Sequence, residues 1–428
     1  MARLALVLLA AGCAALGRPA LGAADGLART PPMGWRSWNA LGGDVAQRDM
    51  ELAADALAQP RDGLGVPAPR GDSFLSLGYA DVGLDDAWQA CGAGVSGSFH
   101  DGAGRPLWNA SRFPDPAGMV RYIHRRGLLA GWYHNNCICR ELSDAPWPAL
   151  AHVRGDAAAT VELGFDSVKL DGCGAWRDLE QWYDALANAS VSRGRPGNAV
   201  MIENCHWGLQ APTLDSCAFH MFRTSGDISA TWSSMFWNLQ TTRAFQAEPP
   251  LSRPGCWAYP DMLEVGRLKS PAEDRTHFAA WAITSSPLIL GHRITDQATN
   301  ERVWPIVSNK RAIAINQAWA GHPGRHVAER FGHSLRPVQV WAKPLPGGAL
   351  AALLINDNSA ALEDELAVPL SKLGLDPAAR FNVIDVWTGL SEEARVADGV
   401  LRMAARGHDS MFLRLDPLGV SQHQQEEM

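Results

Sequence analysis

The sequence lacks a cluster of basic residues, and acidic residues outnumber basic ones. Its 428 residues include 38 Lys and Arg against 45 Asp and Glu, which gives a formal net charge of −7. A polyanionic partner such as nucleic acid needs a concentrated positive surface. We therefore expect no nucleic-acid partner.

Long apolar segments are also missing beyond the N-terminus. The apolar run of residues 4–15 follows Arg3, precedes small residues up to Ala24, and is too short to span a bilayer. This pattern is typical of a secretory signal peptide over residues 1–24, with a lipoprotein cleavage site at Cys13 as the alternative. Sequons at Asn109 and Asn188 are consistent with secretion. We expect a secreted or lysosomal/vacuolar protein that does not contact the membrane after the signal peptide is removed.

Cysteine is scarce, and its spacing does not suit a metal. Seven of the eight cysteines follow the signal peptide, at positions 91, 137, 139, 173, 205, 217 and 256. Cys137 and Cys139 have one residue between them, whereas zinc sites have two or more, and no second pair completes a ligand set. An odd number in an oxidising compartment leaves at least one thiol free or paired between chains. The sequence therefore predicts disulfides and no metal site.

Short apolar runs alternate with amphipathic segments from Pro31 to about Gln317. The predicted strands are residues 33–38, 80–84, 128–133, 167–170, 200–204, 218–222, 255–257 and 287–290. The predicted helices are residues 45–57, 116–126, 154–163, 176–189, 232–245, 271–282 and 302–316. Eight strands alternating with helices predict the α/β class and a (β/α)8 TIM barrel, with a doubly wound sheet as the alternative. Polar residues recur where the strands end, as an active site on a barrel requires.

The pattern changes after about Arg330. Short runs rich in Val, Leu and Trp, separated by turn residues, cover residues 338–342, 349–355, 381–387 and 411–415. They predict a C-terminal antiparallel β-sandwich. We divide the chain into a signal peptide (1–24), a catalytic barrel (25–328), a β-sandwich domain (329–418) and a polar tail (419–428).

Two predicted strands end in a cation followed by a carboxylate. Lys169 and Asp171 lie on one face of the first, and Arg223 and Asp227 follow the second. Glycoside hydrolysis with retention uses two carboxyl groups about 5 Å apart, one ionised and one protonated. We predict that Lys169 holds Asp171 ionised while Asp227 keeps its proton longer. A purely structural ion pair between Lys169 and Asp171 is the alternative.

Other acidic and aromatic residues suit a polyhydroxylated ligand. Asp85 and Asp86 are adjacent at a strand end, where they can accept hydrogen bonds from neighbouring hydroxyls or bind a cation, unless they are solvated acids of a helix start. Asp261 is a further candidate, with a turn residue as the alternative. The 17 Trp residues offer flat faces to sugar rings, although most are expected in the core.

Together these motifs resemble glycoside hydrolase family 27, which contains α-galactosidases and α-N-acetylgalactosaminidases. The matching segments, in the order that the family has them, are residues 31–38, 78–86, 169–173, 223–227 and 260–266. The resemblance implies a barrel followed by an antiparallel domain. It also implies a retaining exo-glycosidase that removes terminal α-linked galactose from an oligosaccharide or glycoconjugate by double displacement, without a cofactor. A homodimer is left open.

The resemblance implies a role for each matching residue. Asp171 is expected to be the nucleophile and Asp227 the general acid/base. The expected sugar contacts are Trp38 with the ring, Asp85 and Asp86 with the 4- and 6-hydroxyls, Lys169 near the 3-hydroxyl, and Arg223 and Asp261 near the 2- and 3-hydroxyls. The other predicted substrate-binding residues are Tyr133, Cys205, His206, Trp207, Leu209 and Met262. The family pattern also suggests a disulfide from Cys173 to Cys137 or Cys139, and a second from Cys205 to Cys217.

The chain departs from the family pattern near the 2-position of the sugar. His206 stands where a Glu is common, unless it is a packing histidine, and Tyr259 replaces a typical Asp. Leu209 is bulkier than the residue expected in enzymes that accept an N-acetyl group, which favours galactose. The alternatives are an α-N-acetylgalactosaminidase, a related α-glycosidase with altered recognition of the 2-position, and a galactose-binding protein without turnover.

Overall fold

The computed structural model describes residues 25–135, 137–139, 141, 150–174, 176–195, 197–331 and 336–419. The predicted signal peptide, and the predicted tail apart from Gly419, lie outside the described residues. No helix in the described part of the chain combines the length and apolar character needed to cross a bilayer.

Eight parallel strands form one curled sheet in the order β7-β6-β5-β4-β3-β2-β1-β8. They are β1 (Met33–Arg36), β2 (Asp81–Gly83), β3 (Leu129–His134), β4 (Ser167–Asp171), β5 (Met201–Cys205), β6 (Met221–Arg223), β7 (Trp257–Tyr259) and β8 (Leu288–Leu290). The ring closes where Leu263, shortly after β7, forms a parallel bridge with Leu290 of β8. The predicted TIM-like barrel is confirmed, and each predicted strand overlaps an observed one.

Helices surround the barrel. They are α1 (Trp38–Leu41), α2 (Gln47–Ala58), α3 (Pro116–Arg125), α4 (Ala151–Leu163), α5 (Leu179–Ser192), α6 (Trp232–Thr241), α7 (Pro271–Ile283), α8 (Gln297–Val307) and α9 (Lys310–Gln317). The prediction of one helix over residues 302–316 is wrong. The chain breaks into α8 and α9 because Asn309 caps the second helix, its side chain accepting a hydrogen bond from the backbone N–H of Ala312 at 3.0 Å.

The helical layer has a gap beside β5. Residues 206–220, which connect β5 to β6, contain no helix, whereas every other connection between consecutive strands of the barrel contains at least one. The outside of the barrel next to β5 is therefore flanked by the irregular segment 206–220 and by α5.

The centre of the barrel holds buried charges that the sequence analysis did not identify. Arg36 forms ion pairs with Asp81 at 2.8 Å and with Glu203 at 3.3 Å, and the hydroxyl of Ser167 donates to Asp81 at 2.7 Å. Burial of a charge is unfavourable unless it is paired. These contacts therefore satisfy a polar layer on the interior face of strands β1, β2, β4 and β5.

The C-terminal part contains two antiparallel sheets. The strands are β9 (Arg325–Phe331), β10 (Pro337–Pro344), β11 (Leu350–Asn356), β12 (Leu366–Pro369), β13 (Arg380–Asp385), β14 (Val396–Ala397), β15 (Val400–Met403) and β16 (Asp409–Leu418). One sheet has the order β13-β16-β11-β10-β9 and the other β12-β15-β14, with apolar side chains from both in one core. The predicted antiparallel domain is confirmed.

Strand β9 escaped prediction because three of its seven residues are charged, a fourth is His, and the strand lies at a sheet edge with none of its residues buried. The predicted boundary after residue 328 falls within this strand. We propose that the C-terminal domain begins at Arg325 instead.

Three disulfides join described residues: Cys91 to Cys139, Cys137 to Cys173, and Cys217 to Cys256. The predicted pairing of Cys173 with Cys137 is confirmed, and the pairing of Cys205 with Cys217 is wrong. Cys205 is a buried thiol whose sulfur lies 3.3 Å from Nη1 of Arg223, inside the barrel. Disulfides of this number are typical of the oxidising secretory pathway.

Candidate active site

The C-terminal ends of the barrel strands surround a pocket of about 120 Å³. Its lining contains eleven of the predicted site residues, which are Trp38, Asp85, Asp86, Tyr133, Lys169, Asp171, Trp207, Arg223, Asp227, Asp261 and Met262. Parallel strands of a barrel end on the same face, so the fold brings together residues that are far apart in the chain. Both predicted catalytic carboxylates therefore border one cavity.

Asp171 ends β4 and is held by groups from two neighbouring strands. The hydroxyl of Tyr133 donates to one carboxylate oxygen at 2.8 Å, and the backbone N–H of Cys173 donates to the other at 3.2 Å. The Asn135 side chain donates to the backbone carbonyl of Asp171 at 2.5 Å. Burial raises the pKa of Asp171 above its ordinary value, although the charge of Lys169 and the Tyr133 hydroxyl oppose that shift. The carboxylate is fixed in orientation and partly desolvated.

The alternative of an ion pair between Lys169 and Asp171 is wrong, because Lys169 forms its ion pair with Asp85. Its ammonium group donates to Asp85 at 2.8 Å, and both side chains are buried. Lys169 lies two residues before Asp171 on β4. Because Ser167 is in register with Gly131 of β3, and Gly131 with Gly83 at the end of β2, Lys169 is level with Asp85, two residues after β2. The charge of Lys169 still acts on Asp171 through space, but burial outweighs it.

The carboxylate of Asp86 forms its hydrogen bonds with other groups of the protein. Its two carboxylate oxygens accept four hydrogen bonds, from the backbone N–H groups of Ala87, Cys137 and Ile138 and from the side chain of Gln89, at 2.8 to 2.9 Å. A carboxylate offers about four lone-pair positions. Asp86 is therefore built to hold the segment after β3 against the pocket, and it has little capacity left for a sugar hydroxyl.

Arg223 forms ion pairs with both Asp227 and the buried Asp261. One of its terminal nitrogens lies 3.0 Å from both Asp227 and Asp261. The Asp261 side chain also accepts hydrogen bonds from the backbone N–H groups of Ile228 and Met262, each at 2.8 Å. Asp261 is 4 % exposed and Asp227 72 % exposed, so the two carboxylates on the same arginine differ in their access to solvent.

Four residues other than glycine adopt left-handed backbone conformations just after barrel strands. They are Ala87 (φ +81°), Asn135 (φ +56°), Trp207 (φ +52°) and Asp261 (φ +83°). Such conformations are unfavourable for residues with a Cβ and persist where surrounding contacts enforce them. Trp207 and Asp261 line the pocket, and Ala87 and Asn135 follow the lining residues Asp86 and Tyr133 by one and two positions, which indicates that the rim is shaped for function.

Three predicted substrate-binding residues do not line this pocket. Cys205 is buried beside Arg223, and burial raises the pKa of its thiol. His206 is buried and its Nδ1 lies 3.1 Å from the side-chain oxygen of Gln210, which agrees with a packing histidine. Leu209 is 77 % exposed and lines a different cavity. The size of Leu209 therefore gives no preference for galactose.

The pocket also contains residues that sequence reasoning missed. These are Asn39, Ile228 and the disulfide between Cys137 and Cys173. Asn39 directly follows Trp38, and its side chain donates to the buried Glu264. A polar residue directly after Trp38 was the available signal for Asn39, whereas nothing in the sequence indicated Ile228 as a site residue.

We expect the disulfide in the pocket wall to matter for activity as well as stability. Replacing Cys137 and Cys173 together by serine removes a cross-link over 36 residues and is expected to lower the free energy of unfolding by about 3 kcal/mol. It should also lower kcat, because Cys173 N–H holds Asp171. The matched control is Cys217→Ser with Cys256→Ser, a cross-link over 39 residues outside the pocket. Equal losses of kcat in both double variants, measured on folded protein, would contradict this role.

A buried network of histidines and carboxylates lies behind the pocket wall. Nδ1 of His100 lies 2.7 Å from Glu141 and Nε2 lies 3.0 Å from Asp156, while His152 also faces Glu141 at 3.0 Å. His100, Glu141 and His152 have the spacing of a metal-ligand set. Both ring nitrogens of His100 already face carboxylates, however, which favours a protonated imidazolium between them.

The charge network gives a pH dependence to stability. Burial by itself would lower the pKa of His100, but Asp156 and Glu141 outweigh it and raise that pKa to about 9. Because folding raises the pKa of His100, its protonation stabilises the fold fully below the unfolded pKa of about 6.5. This stabilisation is lost as the pH rises through about 9.

The variant His100→Asn tests this dependence. We expect it to lower the free energy of unfolding by about 3 kcal/mol more at pH 5.5 than at pH 10, measured by guanidinium unfolding. His124→Asn, which removes an exposed pair with Asp166, is the control, because exposed pairs contribute little. A pH-independent loss for His100→Asn would argue against the charged network.

Comparison with known proteins gives consistent matches over most of the chain. The family model described as α-galactosidase A matches residues 30–318, and the model of the α-galactosidase C-terminal β-sandwich domain matches residues 336–415. An α-galactosidase from Cyamopsis tetragonoloba is 31% identical over 373 residues, which cover 85% of this chain and 81% of the relative. An α-N-acetylgalactosaminidase from Gallus gallus is 30% identical over 394 residues, covering 85% of this chain and 88% of the relative.

Solved structures share the architecture. An α-galactosidase from Saccharomyces cerevisiae, solved with raffinose, superposes with a TM-score of 0.72 at 22% identity and covers 94% of this chain and 100% of its own. At this identity the structural match supports the common fold.

Proposed function

This chain belongs to glycoside hydrolase family 27, the family of α-galactosidases and α-N-acetylgalactosaminidases, and we propose that it hydrolyses terminal α-linked galactose with retention of configuration. It is an α-galactosidase-like glycosidase. The finer proposal rests on one observation, that Asp171 and Asp227 border the same pocket at the ends of β4 and β6. A pair of carboxyl groups across a sugar is the requirement of double displacement.

In the first step, Asp171 attacks the anomeric carbon as the bond to the leaving oxygen breaks. Asp227 donates its proton to that oxygen, and a β-galactosyl ester on Asp171 results. In the second step, Asp227 takes a proton from water, whose oxygen attacks the same carbon, and α-galactose leaves with Asp171 ionised again. The Tyr133 hydroxyl and the Cys173 N–H orient the nucleophile before attack.

The opposite ends of the pocket suit a hexose. The ion pair of Lys169 with Asp85 offers a donor and an acceptor to neighbouring hydroxyls, and Asp261 with Arg223 offers the same near the acid/base. Trp207 adds an indole to the lining of the pocket. These features support a galactose-type hexose as the substrate. Because the Saccharomyces cerevisiae structure contains raffinose, we include oligosaccharides of that kind among the proposed substrates.

A panel of p-nitrophenyl glycosides tests the proposal. We expect the highest kcat/KM on the α-galactoside, a lower value on the N-acetyl-α-galactosaminide, and α-galactose as the first sugar product seen by proton NMR. Faster hydrolysis of the N-acetyl substrate would make the chain an α-N-acetylgalactosaminidase. First-formed β-galactose would exclude retention, and hydrolysis of neither substrate by folded protein would overturn the proposal.

A further inference from the structure

The buried face of α6 carries one polar side chain among apolar neighbours. Asn238 is 3 % exposed and shares this face with Trp232, Met235 and Leu239. An amide buried in apolar surroundings destabilises the fold unless its hydrogen bonds are formed. The partners of Asn238 therefore show what this residue does.

The amide nitrogen of Asn238 donates to three oxygen atoms. They are the hydroxyl of Ser225 at 3.0 Å, the backbone carbonyl of Pro260 at 3.0 Å and the backbone carbonyl of Gly226 at 3.3 Å. Ser225 and Gly226 directly precede Asp227 in the chain. One side chain on α6 thus holds the two residues before the proposed general acid/base and ties them to the loop after β7.

The segment that carries the acid/base has an exposed tip between two buried residues. Residues 226–227 are exposed, whereas Ser225 and Ile228 are buried. A Cβ on the glycine of this tip would meet no atom within 4 Å, so packing does little to fix it. The backbone N–H of Ile228 donates to Asp261 at 2.8 Å and holds one side of the tip, and Asn238 holds the other. Hydrogen bonds at its two sides therefore position the tip.

Helix α6 is itself fixed at both ends. At its start the indole N–H of Trp232 donates to Asp357 of the C-terminal domain at 2.6 Å. At its end the hydroxyls of Thr241 and Thr224 lie 2.7 Å apart, and Thr224 lies three residues before the acid/base. Groups on rigid elements position their targets more precisely than groups on loops. Asn238 is therefore well placed to fix the acid/base segment relative to the barrel.

We propose that Asn238 is a positioning residue for the general acid/base, which it holds at the distance that protonation of the leaving oxygen needs. This inference rests on the proposed double displacement. Asn238 does not line the pocket, and it acts through its hydrogen bonds to residues 225–226. Misplacement of a catalytic group by about 1 Å can cost about 10²-fold in rate. Loss of the amide should therefore impair proton donation and leave the attack by Asp171 intact.

The loop after β7 has anchors besides Asn238. The indole N–H of Trp281 donates to the backbone carbonyl of Asp261 at 2.7 Å, and the Asp261 carboxylate forms its ion pair with Arg223. Removal of the Asn238 amide therefore loosens the segment before Asp227 more than the pocket wall around Asp261. We expect an effect on one catalytic group instead of a general loss.

The test is how the effect of Asn238→Ala depends on the leaving group. Raffinose releases an alkoxide that needs a proton, whereas 2,4-dinitrophenyl α-galactoside releases a phenolate that does not. We expect kcat/KM for raffinose to fall about ten-fold or more, and kcat/KM for the dinitrophenyl substrate to stay within about two-fold of that of the unaltered protein. A smaller fraction of folded protein would lower both values by the same factor, so their ratio reports the position of the acid.

A double variant identifies the residue through which Asn238 acts. In Asp227→Ala the proton donor is already absent, so adding Asn238→Ala should lower kcat/KM for raffinose by less than about two-fold. Two residues that serve the same step are non-additive in this way, whereas the losses from independent residues multiply.

Gln240→Ala is the matched control. Gln240 lies two residues after Asn238 on the same helix, but its side chain donates to Gln339 of the C-terminal domain at 3.1 Å. Its loss should leave the ratio of the two kcat/KM values unchanged. If Asn238→Ala does not fold, Asn238→Asp takes its place. The aspartate has the same shape but at most one hydrogen to donate, and we expect the same selective loss.

The outcomes separate the two proposals. Equal losses on both substrates in the folded variant, or losses that multiply in the double variant, would overturn the positioning role of Asn238 and leave the α-galactosidase activity intact. Unchanged hydrolysis of raffinose by Asn238→Ala would overturn that role as well. Hydrolysis of no α-galactoside by the unaltered protein would overturn the proposed function and this inference with it.

Discussion

Replacement of Asp171 by glycine is expected to lower kcat/KM for p-nitrophenyl α-galactoside by about 10⁴-fold or more, because the covalent intermediate can no longer form. The Tyr133 hydroxyl and the Cys173 N–H orient the Asp171 carboxylate, so its loss leaves no carboxylate held by these two groups. The glycine creates space at the anomeric carbon. Added azide should therefore restore turnover and yield β-galactosyl azide, the product of one displacement with inversion.

Two controls accompany this prediction. Circular dichroism and the melting temperature check that the variant folds, and Asp184→Asn, which changes an exposed carboxylate on α5, is the matched control with unchanged kcat/KM. If Asp171→Gly keeps more than a tenth of the activity, another group is the nucleophile. If azide instead gives α-galactosyl azide, Asp171 does not attack the anomeric carbon.

Replacement of Asp227 by alanine is expected to have an effect that depends on the leaving group. With raffinose, whose leaving alkoxide needs a proton, we expect kcat/KM to fall by about 10³-fold, within the usual contribution of general acid catalysis. With 2,4-dinitrophenyl α-galactoside, whose phenolate leaves without a proton, the first step should be nearly normal. The second step still lacks its base, so the glycosyl-enzyme should accumulate and appear as a burst of phenolate.

The variant Asp261→Ala distinguishes proton donation by Asp227 from a structural effect of Arg223. Asp261 shares Arg223 with Asp227 but is buried and holds the N–H groups of Ile228 and Met262. Its loss should harm substrates with good and poor leaving groups alike, because it positions the pocket wall. An equal loss on both substrates in Asp227→Ala would show that Asp227 acts only through Arg223 and is not the proton donor.

The structure revises how the individual carboxylates work. The sequence placed Asp85 and Asp86 together as a pair for sugar hydroxyls, because adjacent acids at a strand end look equivalent. In the fold, Asp85 pairs with Lys169 while Asp86 accepts four hydrogen bonds from the protein. The difference depends on the segment after β3, which no local pattern near residue 86 could indicate.

The disulfide pairing and the position of Leu209 were equally hard to predict. Cys205 and Cys217 are close in sequence, but the strand directs Cys205 into the barrel, where its sulfur contacts Arg223. Leu209 follows the pocket residue Trp207 by two positions, yet it lines a different cavity, because the left-handed turn at Trp207 directs the chain outward. Side-chain direction after a strand depends on such turns, and spacing in the sequence does not specify them.

The sequence by itself determined the order of the eight barrel strands and of the helices that alternate with them, the antiparallel C-terminal domain, and the acids and cations at the strand ends. It could do so because periodicity, strand length and turn residues are local properties. Only the tertiary structure decided which carboxylate each cation contacts, which cysteines are bonded, and what covers the barrel where the helical layer has a gap. These depend on distances between segments that are remote in the chain, and closure of the barrel alone sets those distances.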